Sequence, residues 1–189
     1  MIREFASMVG KRWIKNGLIS SEYYECYVYG IELIVSQILG ISIILLLGAI
    51  TGTHLNAVVF LVVFILVRQY TGGYHAGNYL SCNIIFSLSY IVNMLIVARN
   101  EINLFILVAF TFTIGIGTIS IIGPCTHKNK RIEETLLKAN KTKSLVLYVV
   151  CCLISVCIAS SHQSLALTIV VTLLQIIILM IIGKIKEGS

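Results

Sequence analysis

Six long apolar runs, separated by short polar breaks, constrain this chain more than any other feature it has. They lie at residues 29–50, 55–67, 82–98, 102–122, 144–160 and 163–182. About 20 apolar residues in a helix cross the hydrocarbon core of a bilayer. Inside it no water can pair with backbone N–H and C=O groups, so each crossing must satisfy its own. Composition agrees: 58% of residues are hydrophobic and 12% are charged. Soluble domains are about a quarter charged. The expected fold is all-α: one polytopic membrane domain over residues 1–189 with about six transmembrane helices. The run at 55–67 is short for a crossing. It must tilt, re-enter, be buried by its neighbours or extend into the polar stretch that follows.

The first 28 residues read as interfacial helices. Ile2, Phe5, Val9 and Trp13 recur at three- and four-residue steps, with Arg3, Lys11 and Lys15 elsewhere. That pattern predicts an amphipathic helix lying in the membrane surface, in contact with lipid headgroups. Asn16-Gly17 breaks it, and Ser20 or Ser21 is placed to cap the next helix. Tyr23, Tyr24, Tyr27 and Tyr29 then form an aromatic collar where the chain enters the bilayer. The start is not a basic segment followed by an apolar core, so no cleavable signal peptide is expected.

Charge sets the orientation. With both termini in the cytoplasm, the inner segments are 1–28, 68–81, 123–143 and 183–189. They hold thirteen of the fourteen Lys and Arg residues, and Arg99 alone falls outside them. This is the positive-inside pattern of a multi-pass membrane protein, and it puts the stretch at 68–81 on the cytoplasmic face. It also accounts for the net charge of +6, which in a soluble chain would point to nucleic acid. No nucleic-acid partner is expected.

Several chemistries are excluded by what is missing. All eight acidic residues are Glu, so a di-aspartyl protease or an Asp-supported triad is out. There is no HExxH, no GxSxG and, among six Cys, no CxxC. No metal site and no cofactor is expected.

One segment carries chemistry. Arg68-Gln69-Tyr70-Thr71-Gly72-Gly73-Tyr74-His75-Ala76-Gly77-Asn78-Tyr79-Leu80-Ser81-Cys82 is a polar, glycine-rich island between two apolar runs. Arg68, His75 and Cys82 stand seven residues apart in turn. A His and a Cys at a membrane face suggest a thiol nucleophile with its base. In one unbroken helix they would lie roughly 10 Å apart along the axis. Proton transfer needs about 3 Å. Gly72-Gly73 and Gly77-Asn78 are turn formers, so the backbone is expected to bend and bring His75 against Cys82. The plain alternative is a structural turn with an incidental His. On the inner face the thiol would stay reduced.

Other residues have two readings each. Ser89 and Asn93 share a helical face with Cys82 and would line a substrate groove; equally, Ser89 bonds its own helix and Asn93 joins two helices. Glu32, about one turn inside the first run, would orient His75 or else reach back to the surface. Arg68 would stabilise an oxyanion or serve as an inner-face anchor. The basic loop at 123–143, with Lys128, Lys130 and Arg131, would bind an acidic peptide tail or lipid headgroups. Cys151, Cys152 and Cys157 sit in an apolar run and read as packing. Cys26 has no neighbouring base, and His54 and His162 fall in outer turns.

Arg68, Gly73, His75-Ala76 and Cys82 together resemble the motif of the accessory gene regulator B (AgrB) family of quorum-sensing membrane peptidases. The run around Pro124, Lys128 and Lys130 is similar to that family's basic loop, and Gly30-Ile31-Glu32 to its first span. The resemblance covers nearly the whole chain. It implies a cysteine endopeptidase acting on a pro-peptide of the AgrD type. Cys82 would be the nucleophile and His75 the base, with Glu32, Arg68 and Gly73 in support. The product would be an acyl-enzyme thioester, closed by the pro-peptide into a thiolactone or lactone. A homodimer is also implied. Gly72-Gly73 and Tyr74 depart from the best-known members, which bears on the choice of pro-peptide. A small transporter or peptide exporter without covalent chemistry is the rival from another class. An acyl-transferring membrane enzyme using the same thiol is a second.

Overall fold

The computed structural model describes residues 2–72, 79–99, 103–123 and 134–188, and every regular element among them is helical. The order is α1 (Ile2–Lys15), a 3-10 turn (Ser21–Tyr23), α2 (Tyr24–Ile50), α3 (His54–Thr71), α4 (Tyr79–Arg99), α5 (Leu104–Ile122), α6 (Glu134–Ile158) and α7 (Gln163–Gly188). Six of them, α2 to α7, are long and apolar enough to cross a membrane. The protein is a multi-pass membrane protein.

α1 packs on the start of α2. Gly10 makes this close approach workable: a Cβ there would meet the Tyr24 ring at 2.9 Å and Val28 at 3.0 Å. The Tyr24 hydroxyl donates to the Ser7 carbonyl at 3.3 Å, and Trp13 meets Tyr27 edge-on at 6.3 Å. Two of the collar tyrosines are thus spent on holding α1. Gly17, with φ of 70°, ends α1 where the sequence places the break. Ser20 has extended N-cap geometry, but its side chain makes no capping hydrogen bond, contrary to expectation.

α7 is the centre of the bundle, packed against α3, α4, α5 and α6. Its buried face runs from Ala166 to Met180. Lipid tails are as apolar as leucine, so helices here are joined by close packing and by polar contacts. Asn56 of α3 donates to the Ser164 and Thr168 hydroxyls of α7 at 2.9 and 2.8 Å. Asn93 of α4 donates to the Thr172 hydroxyl at 2.9 Å, and Gln175 of α7 donates to the Ser89 carbonyl at 2.8 Å. On the far side, Tyr148 of α6 lies across Gly115 of α5 and donates to the buried Thr111 carbonyl at 2.8 Å.

One boundary that the sequence leaves open is settled, and one differs from expectation. The short second run is a complete helix from His54 to Thr71, because Arg68, Gln69, Tyr70 and Thr71 of the polar island continue it. Thr71 is fully buried and returns its hydroxyl to the Val67 carbonyl, which makes a polar residue tolerable there. The basic segment expected as a loop over 123–143 is helical from Glu134 onward, so Lys138, Lys141 and Lys143 belong to the first turns of α6. α3 and α5 both end in glycines with positive φ, Gly72 (67°) and Gly123 (64°), whose N–H groups close the last turns on Arg68 and Ile119. A β-carbon would be strained at either position.

Gly115→Ala is expected to force the buried Tyr148 ring off α5, because a methyl there overlaps it. Overpacking of this kind costs about 1–3 kcal/mol. Thermal unfolding in detergent should show a lowered midpoint, and an unchanged one would mean that α5 and α6 do not meet as described.

Candidate active site

Two helical registers define the level of Cys82. α2 and α4 run in parallel: Glu32 pairs with Tyr79 and Ser36 with Asn83, both 47 residues apart. Gly40 lets the pair stay close, since a Cβ there would meet the Asn83 side chain at 3.0 Å. α3 and α4 run antiparallel. Phe60 packs on Tyr90 (ring centroids 5.3 Å apart) and Phe64 on Phe86 (4.8 Å). One further turn in the same register sets Arg68 level with Cys82. The chain therefore does reverse between Thr71 and Tyr79, as the glycines of the island suggest. His75 and Gly73 lie outside the described residues, and so does any contact of His75 with Cys82.

Cys82 sits one turn into α4, partly exposed and with a free thiol. Arg68 is half-buried, and its guanidinium lies over the Phe64 ring, 5.3 Å from the centroid. Lys143 of α6 lies over Tyr70 at 5.6 Å. That contact brings the basic start of α6 against the end of α3, two residues before Gly72. Lys141 donates to the Ser120 carbonyl at the end of α5. The island, the nucleophile candidate and a basic edge thus share one end of the bundle. Lys128, Lys130 and Arg131 lie outside the described residues.

Glu32 is 8% exposed and does not reach back to the surface. Its carboxylate turns into the α2–α4 seam and accepts from the Tyr79 hydroxyl at 2.9 Å. Its other oxygen lies 3.9 Å from Arg3 of α1, whose side chain is 79% exposed. Arg3 also approaches Glu25 at 3.8 Å.

Ser89 and Asn93 take the packing role. The Ser89 hydroxyl donates to the Ile85 carbonyl of its own helix at 2.8 Å, and fully buried Asn93 is tied to α7. Cys152 is buried and Cys151 partly so, while Cys26 and Cys157 are exposed. His54 and His162 are exposed at the opposite end of the bundle. Cys125 lies outside the described residues.

Sequence reasoning missed Tyr79, Arg3 and Lys143 as neighbours of this end. Tyr79 stands one turn before Cys82, which is a local signal. Its partner Glu32 is 47 residues away and no spacing announces it.

No solved structure matches this chain. A protein of Clostridium perfringens (strain 13 / Type A) described as AgrB-like protein 2 is 21% identical over 158 residues, which covers 78% of this chain and 74% of that protein. The family model described as Accessory gene regulator B matches residues 3–182. With that match over nearly its whole length, this chain belongs to the accessory gene regulator B family, and its role lies in the processing of quorum-sensing peptides.

Proposed function

We propose that the protein is a cysteine endopeptidase that removes the C-terminal tail of an AgrD-type pro-peptide and lets the remainder close into a ring. The observation that carries this reading is the position of Cys82: a free, partly exposed thiol one turn into α4, level with Arg68 and beside the polar reversal that holds His75.

His75 takes the Cys82 proton, and Sγ attacks the carbonyl at the junction of signal and tail. The guanidinium of Arg68 balances the charge on the tetrahedral oxygen. Collapse breaks the C–N bond, and His75 passes its proton to the leaving amine. The products are a thioester on Cys82 and a free tail. A Cys thiol of the pro-peptide, or in some relatives a Ser hydroxyl, then attacks the thioester. The ring closes as a thiolactone or lactone, and the Cys82 thiol is restored. Thioester exchange is nearly balanced, so water must be kept away, and a site at a membrane face does that.

The reaction is placed on the cytoplasmic face of the cell membrane, where the positive-inside pattern sets the island. The amphipathic leader of the pro-peptide would lie on the same surface. An acidic tail suits the basic edge of Lys128, Lys130, Arg131 and the start of α6. Ser89 and Asn93 are left out of substrate binding, because the Ser89 hydroxyl bonds its own helix and the fully buried Asn93 amide donates to α7.

Cleavage of candidate pro-peptides by the purified protein in liposomes tests the assignment, with tail and ring followed by mass spectrometry. Cys82→Ala and His75→Ala should each abolish tail release while still inserting, and Cys82→Ser should keep at most a trace. Full activity in the Ala variants would refute both roles.

Arg68→Gln should lower turnover by about 10²–10³-fold, the usual cost of one oxyanion donor. A variant with normal turnover would leave Arg68 as an anchor.

Neutralising Lys128, Lys130 and Arg131 together should raise KM and leave kcat near its starting value. A pure loss of kcat at saturating peptide would contradict a binding role.

A further inference from the structure

The first turn of a helix favours a thiolate but is a hard place to hold one still. The first four N–H groups of a helix have no partner within it, and helix ends fray. Yet a reacting sulfur must be held closely, since a misplacement of about 1 Å can cost about 10²-fold in rate. Something must fix this turn.

One contact fits the need. The Tyr79 hydroxyl donates to Glu32 at 2.9 Å, across the seam and one turn before Cys82. The acceptor is an 8% exposed carboxylate on α2. A hydrogen bond to an ionised acceptor is stronger than one between neutral groups, and low local dielectric strengthens it further. The next rung, Asn83 to Ser36, is neutral and longer at 3.3 Å. A carboxylate with so little exposure needs partners. Its charge is offset from outside by Arg3 at 3.9 Å, on the surface helix α1.

We infer that Tyr79 is a positioning residue for Cys82: held by the Glu32 carboxylate, it clamps the first turn of α4 to α2 and so sets where the thiol stands. Arg3 extends the clamp to α1, so the seating of the surface helix is felt at the nucleophile. The inference rests on Cys82 as the attacking group, but the clamp itself is measurable without any peptide.

The test uses the full-length protein in liposomes and four forms: wild type, Tyr79→Phe, Glu32→Gln and Glu32→Leu. Two quantities are read, hydrogen–deuterium exchange and the kinetics of pro-peptide cleavage. Tyr79→Phe should speed exchange about tenfold in peptides covering 79–90 and leave those covering 163–182 unchanged. It should lower kcat by about 10–100-fold with KM unchanged, in line with the cost of misplacement. Glu32→Gln keeps an oxygen that accepts from Tyr79 but loses the charge, and should fall between wild type and Tyr79→Phe in both properties. Glu32→Leu should reproduce Tyr79→Phe.

Unchanged exchange over 79–90 in Tyr79→Phe would overturn the clamp, as would wild-type kcat in a protein that cleaves. Faster exchange spread over α7 as well, with no rescue by Glu32→Gln, would reduce the contact to general stability and also overturn it. If the wild type cleaves no peptide, the proposed chemistry fails, but local exchange over 79–90 still decides the clamp.

Discussion

A bilayer interior offers no water to a polar side chain, so every such group that enters must find its partner in the protein. This chain pairs many of them across helix seams, while among the described residues the buried Asn93 Oδ1, Thr111 Oγ1 and Gln175 Oε1 accept no hydrogen bond. Asn56 and Asn93 reach the hydroxyls of Ser164, Thr168 and Thr172 on α7, and Gln175 reaches back to the Ser89 carbonyl. The pairs fix which face of α3 and α4 meets α7, and at what height. Because apolar packing in lipid is only weakly directional, these few contacts carry much of the register.

Register is what places the chemistry. Away from the Cys82 end, Tyr90 bonds Thr53 at 2.9 Å and ties α4 to the α2–α3 turn, with Gly48 and Ala57 in close contact beside it. From there the stacked rings of Phe60, Phe64, Phe86 and Tyr90 descend between α3 and α4. The same register leads down to Arg68 and Cys82 on facing helices. On the other side of α4, Asn83 and Tyr79 continue the seam with α2 to the carboxylate of Glu32. The position of the thiol is therefore set by contacts that begin about two turns away.

Much of this was legible in the residues. The six apolar runs became six helices, and the amphipathic spacing of Ile2, Phe5, Val9 and Trp13 became α1. The break at Asn16-Gly17 and the reversal after Gly72 fell where glycines announce them. What failed was local inference at polar boundaries. The residues alone leave open whether Arg68 to Thr71 extend the short second run; they are the last turn of α3, because Thr71 satisfies itself on Val67 and Arg68 lies over Phe64. Lys138 to Lys143 looked like loop on their polarity, and they are helix. Glu32 was visible as an anomaly, but its partners were not: Tyr79 and Arg3 are brought to it by packing, and no periodicity encodes that pairing.

The central claim is that Cys82 captures the pro-peptide as a thioester, and intact mass tests it most directly. Purified protein in liposomes, mixed with a candidate pro-peptide, should gain the mass of the pro-peptide minus its tail. The adduct should be absent from Cys82→Ala and released by hydroxylamine. A wild-type protein that frees the tail without ever carrying such an adduct, or a Cys82→Ala variant that carries it, would contradict the account.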